Sequence, residues 1–310
     1  MTTAAGRRAP SDRRTHREGL LFLALVVLAW GLTWPVNKVV LQSMSPFWMA
    51  AVRSAIATVA IFGIAIVRGR LVLPPRGDLP VLVSITLLHM VGFVVLANIG
   101  LQFVPTGRSV VLAYTTPLWV APGGRLFLGE PLTSRRLLGV AVGITGLLVL
   151  FNPFAFDWTD GRAVAGNAAI IGAALLWAAN ILHIRAHRWH CTPFELVPWE
   201  TLLATLLLTP IALLVTGPLH VDWNPRLVAL LLYSSVPGTA LAYWAIAVAS
   251  RNLPAVTTSL GSLATPVIST LIATVWLGEP LTLSLVLAIA LILGGVAIGT
   301  TEAAGVSART

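Results

Sequence analysis

Of the 310 residues, hydrophobic types make up 57% and charged types only 10%, with a mean hydropathy of +0.88. A soluble globule is roughly a quarter charged, so this chain lacks the polar surface to face water on all sides, and a soluble fold is excluded. The net charge of +9 does not imply a nucleic-acid partner, because the basic residues lie in a tail and in loops between apolar runs rather than on one groove-facing surface.

Residues 1–18 read as a disordered basic tail carrying Arg7, Arg8, Arg13, Arg14 and Arg17. Ten apolar segments follow, at 19–41, 46–67, 79–103, 107–128, 134–152, 164–186, 193–216, 226–249, 254–277 and 283–301. Each approximates the roughly 20 residues of a bilayer-spanning helix, which predicts an all-α integral membrane protein of ten transmembrane helices. The first is too long and too late to read as a cleaved signal peptide. With the tail inside, 15 of the 20 Lys and Arg fall on one face, against Lys38, Arg108, Arg162 and Arg226 on the other and Arg53 within a span. The positive-inside rule then places both termini in the cytoplasm. Trp48, Trp158, Trp223 and Trp276 sit near predicted outer boundaries and Trp189 near an inner one, as interfacial anchors. The single cysteine, Cys191, cannot form an intrachain disulfide and reads as a structural thiol.

An internal repeat organises these segments. Pro117 and the run Leu128-Gly129-Glu130-Pro131-Leu132 recur 149 residues later as Pro266 and Leu277-Gly278-Glu279-Pro280-Leu281, and Pro105 recurs as Pro254. Trp30 and Trp177, like Ser45-Pro46-Phe47 and Thr192-Pro193-Phe194, match at an offset of 147, so a small indel separates the two registers. Each unit (19–152 and 164–301) holds five spans. Five is odd, so the second copy enters the membrane from the opposite side, giving two inverted five-helix repeats with a site near the midplane where they meet.

The same residues resemble a known family. Trp30-Gly31-Leu32-Thr33-Trp34-Pro35-Val36-Asn37-Lys38, Arg53, Ala113-Tyr114-Thr115-Thr116-Pro117 and the Leu-Gly-Glu-Pro ending, with their second-half counterparts, resemble EamA-type domains of the drug/metabolite transporter superfamily. The resemblance covers about residues 20–300. It implies a multi-pass permease of the cell inner (plasma) membrane, usually an exporter of amino acids or other small metabolites. The second copy departs from the first in carrying Ala178-Ala179 at the place of Gly31-Leu32, and Glu200 at the place of Arg53.

Ionisable groups deep in a bilayer are functional candidates by default. Arg53 suits a substrate carboxylate or phosphate; Glu200 suits a proton or an amino group. A structural ion pair between them, or outward snorkelling of Arg53, is the competing reading. His89, mid-span, is a second proton-coupling candidate or a neutral histidine bonded to a neighbouring helix. Trp30, Trp34, Asn37, Asn98, Tyr114, Trp177, Asn180, Tyr243 and Trp244 complete a polar-aromatic substrate-binding set, since small-ligand pockets are mostly apolar with a few orienting polar groups. Helix packing is their alternative role. Trp30, Trp34 and Asn37 share one helical stripe, which Trp177 and Asn180 repeat.

Pro35, Pro117 and Pro266 lie within spans and loosen them. The Gly-Glu-Pro turns read as helix stops, so Glu130 and Glu279 are not placed in the site. Gly139, Gly143, Gly146, Gly294 and Gly295 suit close helix contact, internal or in a homodimer. His187 and His190 are spaced as a metal pair, but no acidic or cysteine partner other than Cys191 sits at ligand spacing, so no metal and no other cofactor are expected. The chain carries no Gly-Lys-Ser/Thr phosphate loop and only one lysine. The expected activity is therefore secondary transport of a small molecule, with protons as a candidate coupling ion and the lipid bilayer as its setting. A membrane-embedded enzyme acting on lipids, or a non-transporting membrane subunit, is the alternative.

Overall fold

The computed structural model describes residues 10–151, 157–253 and 255–307, and within them the regular structure is entirely helical. Apolar surroundings require each backbone group to bond within its own segment, and the apolar runs accordingly wind into helices. In chain order these are α1 (Pro10–Val40), α2 (Pro46–Val67), α3 (Leu79–Ser84), α4 (Val94–Phe103), α5 (Thr106–Ala113), α6 (Thr116–Leu128) and α7 (Ser134–Phe151). The second half comprises α8 (Gly161–Ala186), α9 (Pro193–Thr216), α10 (Pro225–Ser235), α11 (Ala242–Asn252), α12 (Ala255–Ser262), α13 (Ala264–Leu277) and α14 (Leu283–Ser307). Among the described residues, seven helical runs are long and apolar enough to cross a membrane, and Leu283–Gly299 is a shorter apolar helix. Apolar side chains such as Leu126, Leu214 and Val275 stand exposed on the outside, as a lipid-facing surface requires.

Two expectations are corrected. Helix α1 begins at Pro10, so residues 10–18 continue the first helix rather than forming an unstructured tail. The segments at 107–128 and 254–277 are each broken, at Tyr114-Thr115 and at Leu263. Pro117 and Pro266 lie just past these breaks, where a residue without an amide proton is tolerated in the first turn. Arg7, Arg8, Asn152, Pro254 and Arg309 lie outside the described residues.

The two halves use the same local devices. Ser45 caps α2, its Oγ accepting from the Trp48 amide at 3.2 Å, and Pro46 opens the helix. Thr192 precedes Pro193 in the same way, and its amide donates to Glu195 at 2.8 Å. Helices α6 and α13 both end on a left-handed glycine, Gly129 (φ 67°) and Gly278 (φ 69°), a conformation in which a Cβ is penalised. Bridging α3 to α4 is a π-helical stretch, Ile85–Phe93, and bridging α10 to α11 is another, Val236–Leu241.

Packing repeats as well. Helix α1 lies on α11 and α13; its counterpart α8 lies on α4 and α6. Helix α2 packs on its own counterpart α9, and α7 on α14. At the α2–α9 crossing, Ser54 Oγ donates to the Thr201 carbonyl (3.0 Å) and Thr58 Oγ1 lies 3.3 Å from Thr205 Oγ1. Both pairs join residues 147 apart, so positions matched by the repeat touch each other. Along α7–α14, a Cβ on Gly139 would lie 2.5 Å from the Gly295 carbonyl, and one on Gly295 2.5 Å from that of Gly139. Gly143 and Gly146 are comparably crowded, but nothing lies within 4 Å of a Cβ on Gly294. The close contact is therefore internal at Gly139 and Gly295.

Candidate functional site

A cavity of about 210 Å³ lies at the centre of the molecule. Helix α1 offers it Trp30, Thr33, Trp34 and Asn37, the i, i+3, i+4 and i+7 positions of one face. Helix α2 adds Arg53. The first π-helical stretch adds His89 and Phe93, and α4 adds Ala97, Asn98 and Leu101. Tyr114 enters from the break before α6, Trp177 from α8 and Tyr243 from α11. The π-helical geometry matters here, because such insertions recur at functional sites where they re-aim side chains.

The lining is an aromatic box. The Trp177 ring stacks on His89 (centroids 5.7 Å apart, planes at 17°), meets Phe93 at 5.2 Å and stands edge-on to Tyr114 at 5.9 Å. Tyr243 stands edge-on to Trp30 at 6.4 Å, and its hydroxyl lies 3.4 Å from His89 Nδ1. Few polar groups interrupt it. Asn37 Oδ1 accepts from Ser234 at 2.7 Å, and Asn98 Nδ2 donates to the Pro46 carbonyl at 3.4 Å. Arg53 Nε donates to Thr239 Oγ1 at 2.9 Å, and that hydroxyl belongs to the second π-helical stretch. The two Nη groups of Arg53 make no hydrogen bond among the described residues. A guanidinium so held presents a planar pair of donors suited to a carboxylate.

The box shares His89, Trp177 and Tyr243 with a larger vestibule of about 1180 Å³, whose lining includes Arg68, Arg70 and Arg251. A third cavity, of about 410 Å³, shares Tyr114 and Trp177 and runs beside Glu130, Arg136 and Arg185. Asn180 and Glu200 line the vestibule, not the central box. Glu200 is 4% exposed and does not pair with Arg53, so the structural ion pair is absent. Trp244 likewise lines the vestibule and not the central box: it packs edge-on against Phe22 (5.0 Å) with the Arg68 guanidinium 4.8 Å over its ring. Sequence reasoning missed Thr33, Phe93, Val94, Ala97 and Leu101. Phe93 had one available signal, its place one helical turn after His89; the others are ordinary span residues.

The histidine pair has an acidic partner 109 residues away in sequence. Fully buried Asp78 lies 2.8 Å from His187 Nε2 and 2.9 Å from His190 Nδ1, and accepts from the His190 and Cys191 amides. The three side chains are close enough to share an ion, yet the carboxylate is already satisfied by donors that tie the α8–α9 connection to the start of α3. Burial, and then Asp78 beside it, push the Cys191 thiol up to about 12; it stays neutral near pH 7, as an inert structural thiol does.

A solved structure 23% identical in sequence superposes with a TM-score of 0.65, covering 93% of this chain and 99% of that one, which supports the fold. The "Uncharacterized transporter YoaV" of Bacillus subtilis is 23% identical over 91% of this chain and 96% of its own length. The "Probable amino-acid metabolite efflux pump" of Salmonella typhimurium is 28% identical over 86% and 89%. A "Riboflavin transporter" of Vibrio cholerae is 32% identical, over 50% of this chain and 51% of its own. The model of the EamA-like transporter family matches twice, at residues 17–152 and 164–301. With apolar helices of membrane length in both halves and a family match over nearly the whole chain, this multi-pass membrane protein belongs to the EamA-like transporter family.

Proposed function

We propose that the chain is a secondary transporter that exports a small organic acid or zwitterion with a flat apolar part, of which an amino acid is the simplest example. The observation that carries this reading is Arg53, which lines the aromatic box and is held at Nε by Thr239 with neither Nη group hydrogen-bonded among the described residues. A carboxylate would take the guanidinium, and an apolar ring or chain would lie against Trp30, Trp34 and Trp177. Pockets for drug-sized ligands run from about 300 Å³ upward. A central cavity of about 210 Å³ therefore favours an amino-acid-sized substrate over a flavin.

Ten spans arranged as two inverted five-helix repeats would move it by alternating access. The matched packing of α1 and α8 and the contacts between equivalent residues at the α2–α9 crossing support this arrangement. With both termini cytoplasmic in the inner membrane, the arginine-bearing vestibule opens inward. Glu200, buried on its wall without an ion-pair partner among the described residues, is the proton-coupling candidate; His89, boxed between aromatic rings, is the second. Counterflow of labelled amino acids in proteoliposomes, with riboflavin as a separate arm, tests the reading. Saturable exchange of an amino acid that a pH gradient accelerates is expected, and binding without flux sinks it.

A further inference from the structure

The repeat places four charged residues in two equivalent pairs, and the two pairs differ in what they hold. Lys38 and Arg185 correspond at an offset of 147, Glu130 and Glu279 at 149. At one end of the molecule, Lys38 Nζ donates to the Leu101, Gln102 and Val104 carbonyls (2.5, 3.4 and 3.0 Å), where α4 ends. Two residues on, the Glu279 carboxylate accepts from the Thr106 and Gly107 amides (2.7 and 3.0 Å), where α5 begins. The connection between α4 and α5 is thus clamped by a cation at a helix C-terminus and an anion at a helix N-terminus, the polarity each helix end favours. Lys38 comes from the first half and Glu279 from the second, so the clamp crosses the repeat boundary. Here α5 packs directly on α13.

At the other end the equivalent residues hold each other. Arg185 pairs with Glu130 at 2.5 Å, and Arg136 stands 3.5 Å from the same carboxylate. The counterparts of α5 and α13 are α12 and α6, which stand apart across the cavity of about 410 Å³ that Glu130, Arg185, Ser262 and Leu263 line. The end of α11, counterpart of α4, borders the vestibule at Ser250, Arg251 and Asn252.

We propose that these four residues are two latches that alternate: on a closed mouth the acid and base bind the two helix ends, and on an open mouth they bind each other. This rests on the inverted-repeat reading above. When the molecule turns outward, the internal symmetry moves Glu130 to the amides of residues 255 and 256 and Arg185 to the carbonyls of Ser250, Arg251 and Leu253. Lys38 and Glu279 then form the ion pair. The latched state uses two charge-assisted bonds per acid, whereas a part-exposed ion pair contributes little. Neutralising an acid therefore weakens the closed mouth more than the open one, and equivalent substitutions act in opposite directions.

The test uses the full-length chain with Cys191→Ser and a reporter thiol at Ala97→Cys in the central cavity, in right-side-out and inverted vesicles. Labelling by a membrane-impermeant maleimide reads which mouth is open. Glu279→Gln is expected to raise labelling from outside about tenfold and lower it from inside; Glu130→Gln is expected to do the reverse. Tenfold corresponds to about 1.4 kcal/mol. Glu279→Asp keeps the charge and should stay near the parent, which separates a latch effect from misfolding. The swap Lys38→Glu with Glu279→Lys should not restore the parent ratio, because helix ends keep their polarity. Restoration by the swap, or shifts of the two neutralised variants in the same direction or not at all, would overturn the latches. If shifts of that kind accompany labelling from both sides, alternating access stands and only the latches fall. Labelling from one side alone in every variant overturns the latches and alternating access together.

Discussion

The two halves of this chain share a scaffold but not a surface. Local devices recur at matching positions: the proline-opened α2 and α9, the breaks at Tyr114-Thr115 and Leu263, and the left-handed Gly129 and Gly278. The central cavity is nonetheless lined almost wholly by the first half, with only Trp177 and Tyr243 coming from the second. At equivalent places on α2 and α9 stand Arg53, inside the box, and Glu200, on the vestibule wall. Backbone geometry and helix packing constrain the repeat, because both copies must bury the same faces. Cavity-facing side chains are not so constrained, and there the copies have diverged, the first half supplying most of the lining of the central cavity.

Substitutions at matched positions should expose that division. The largest effect is expected at Arg53. Arg53→Gln removes the charge-assisted pair with a carboxylate, and kcat/KM for counterflow should fall on the order of 100-fold, as for truncating one partner of a buried charge pair. Normal transport by that variant would make Arg53 structural. Its counterpart Glu200→Gln should spare counterflow and abolish only the component driven by a pH gradient; an unchanged pH dependence would remove Glu200 from coupling.

Two smaller contrasts follow. Trp177→Ala opens the box and should raise KM about tenfold, within the range for losing an aromatic anchor. Trp244→Ala, on the vestibule rim over Arg68, should change KM less than twofold. Equal effects would mean that substrate is held along the vestibule rather than in the box. For the shared scaffold, Gly139→Val places a side chain against the Gly295 carbonyl, which should destabilise the α7–α14 contact by about 1–3 kcal/mol. Gly294→Ala, with open space around its Cβ, should leave thermal unfolding in detergent unchanged.

Much of the fold was legible because a bilayer leaves few choices. An apolar run of about 20 residues must satisfy its own backbone and becomes a helix. The turns between runs were marked by residues with a physical reason to be there, such as Ser45-Pro46 and Gly278-Glu279-Pro280. The stripe of Trp30, Trp34 and Asn37 was legible for the same reason, since helical spacing alone puts those three on one face. The start of α1 at Pro10 was not legible, because a polar stretch that prolongs a helix leaves no apolar periodicity.

What tertiary structure decided is which polar residues meet. Spacing along a helix does not say how far that helix is rotated toward the centre, and so Trp177 fell inside the box while Trp244, identical in type and also within an apolar run, fell on the rim. Asp78 reached His187 and His190 across 109 and 112 residues, a contact that no local pattern encodes. The same holds for Lys38 and Glu279. Sequence marked Lys38 as an outer-face charge and Glu279 as part of a helix stop; only the packing of α1 and α13 around the α4–α5 connection made them a clamp. Charge is scarce in this chain, and sequence alone showed where it lies. Three-dimensional packing determined what each charge holds, because in an apolar medium a charged group must find a partner wherever the fold brings one within reach.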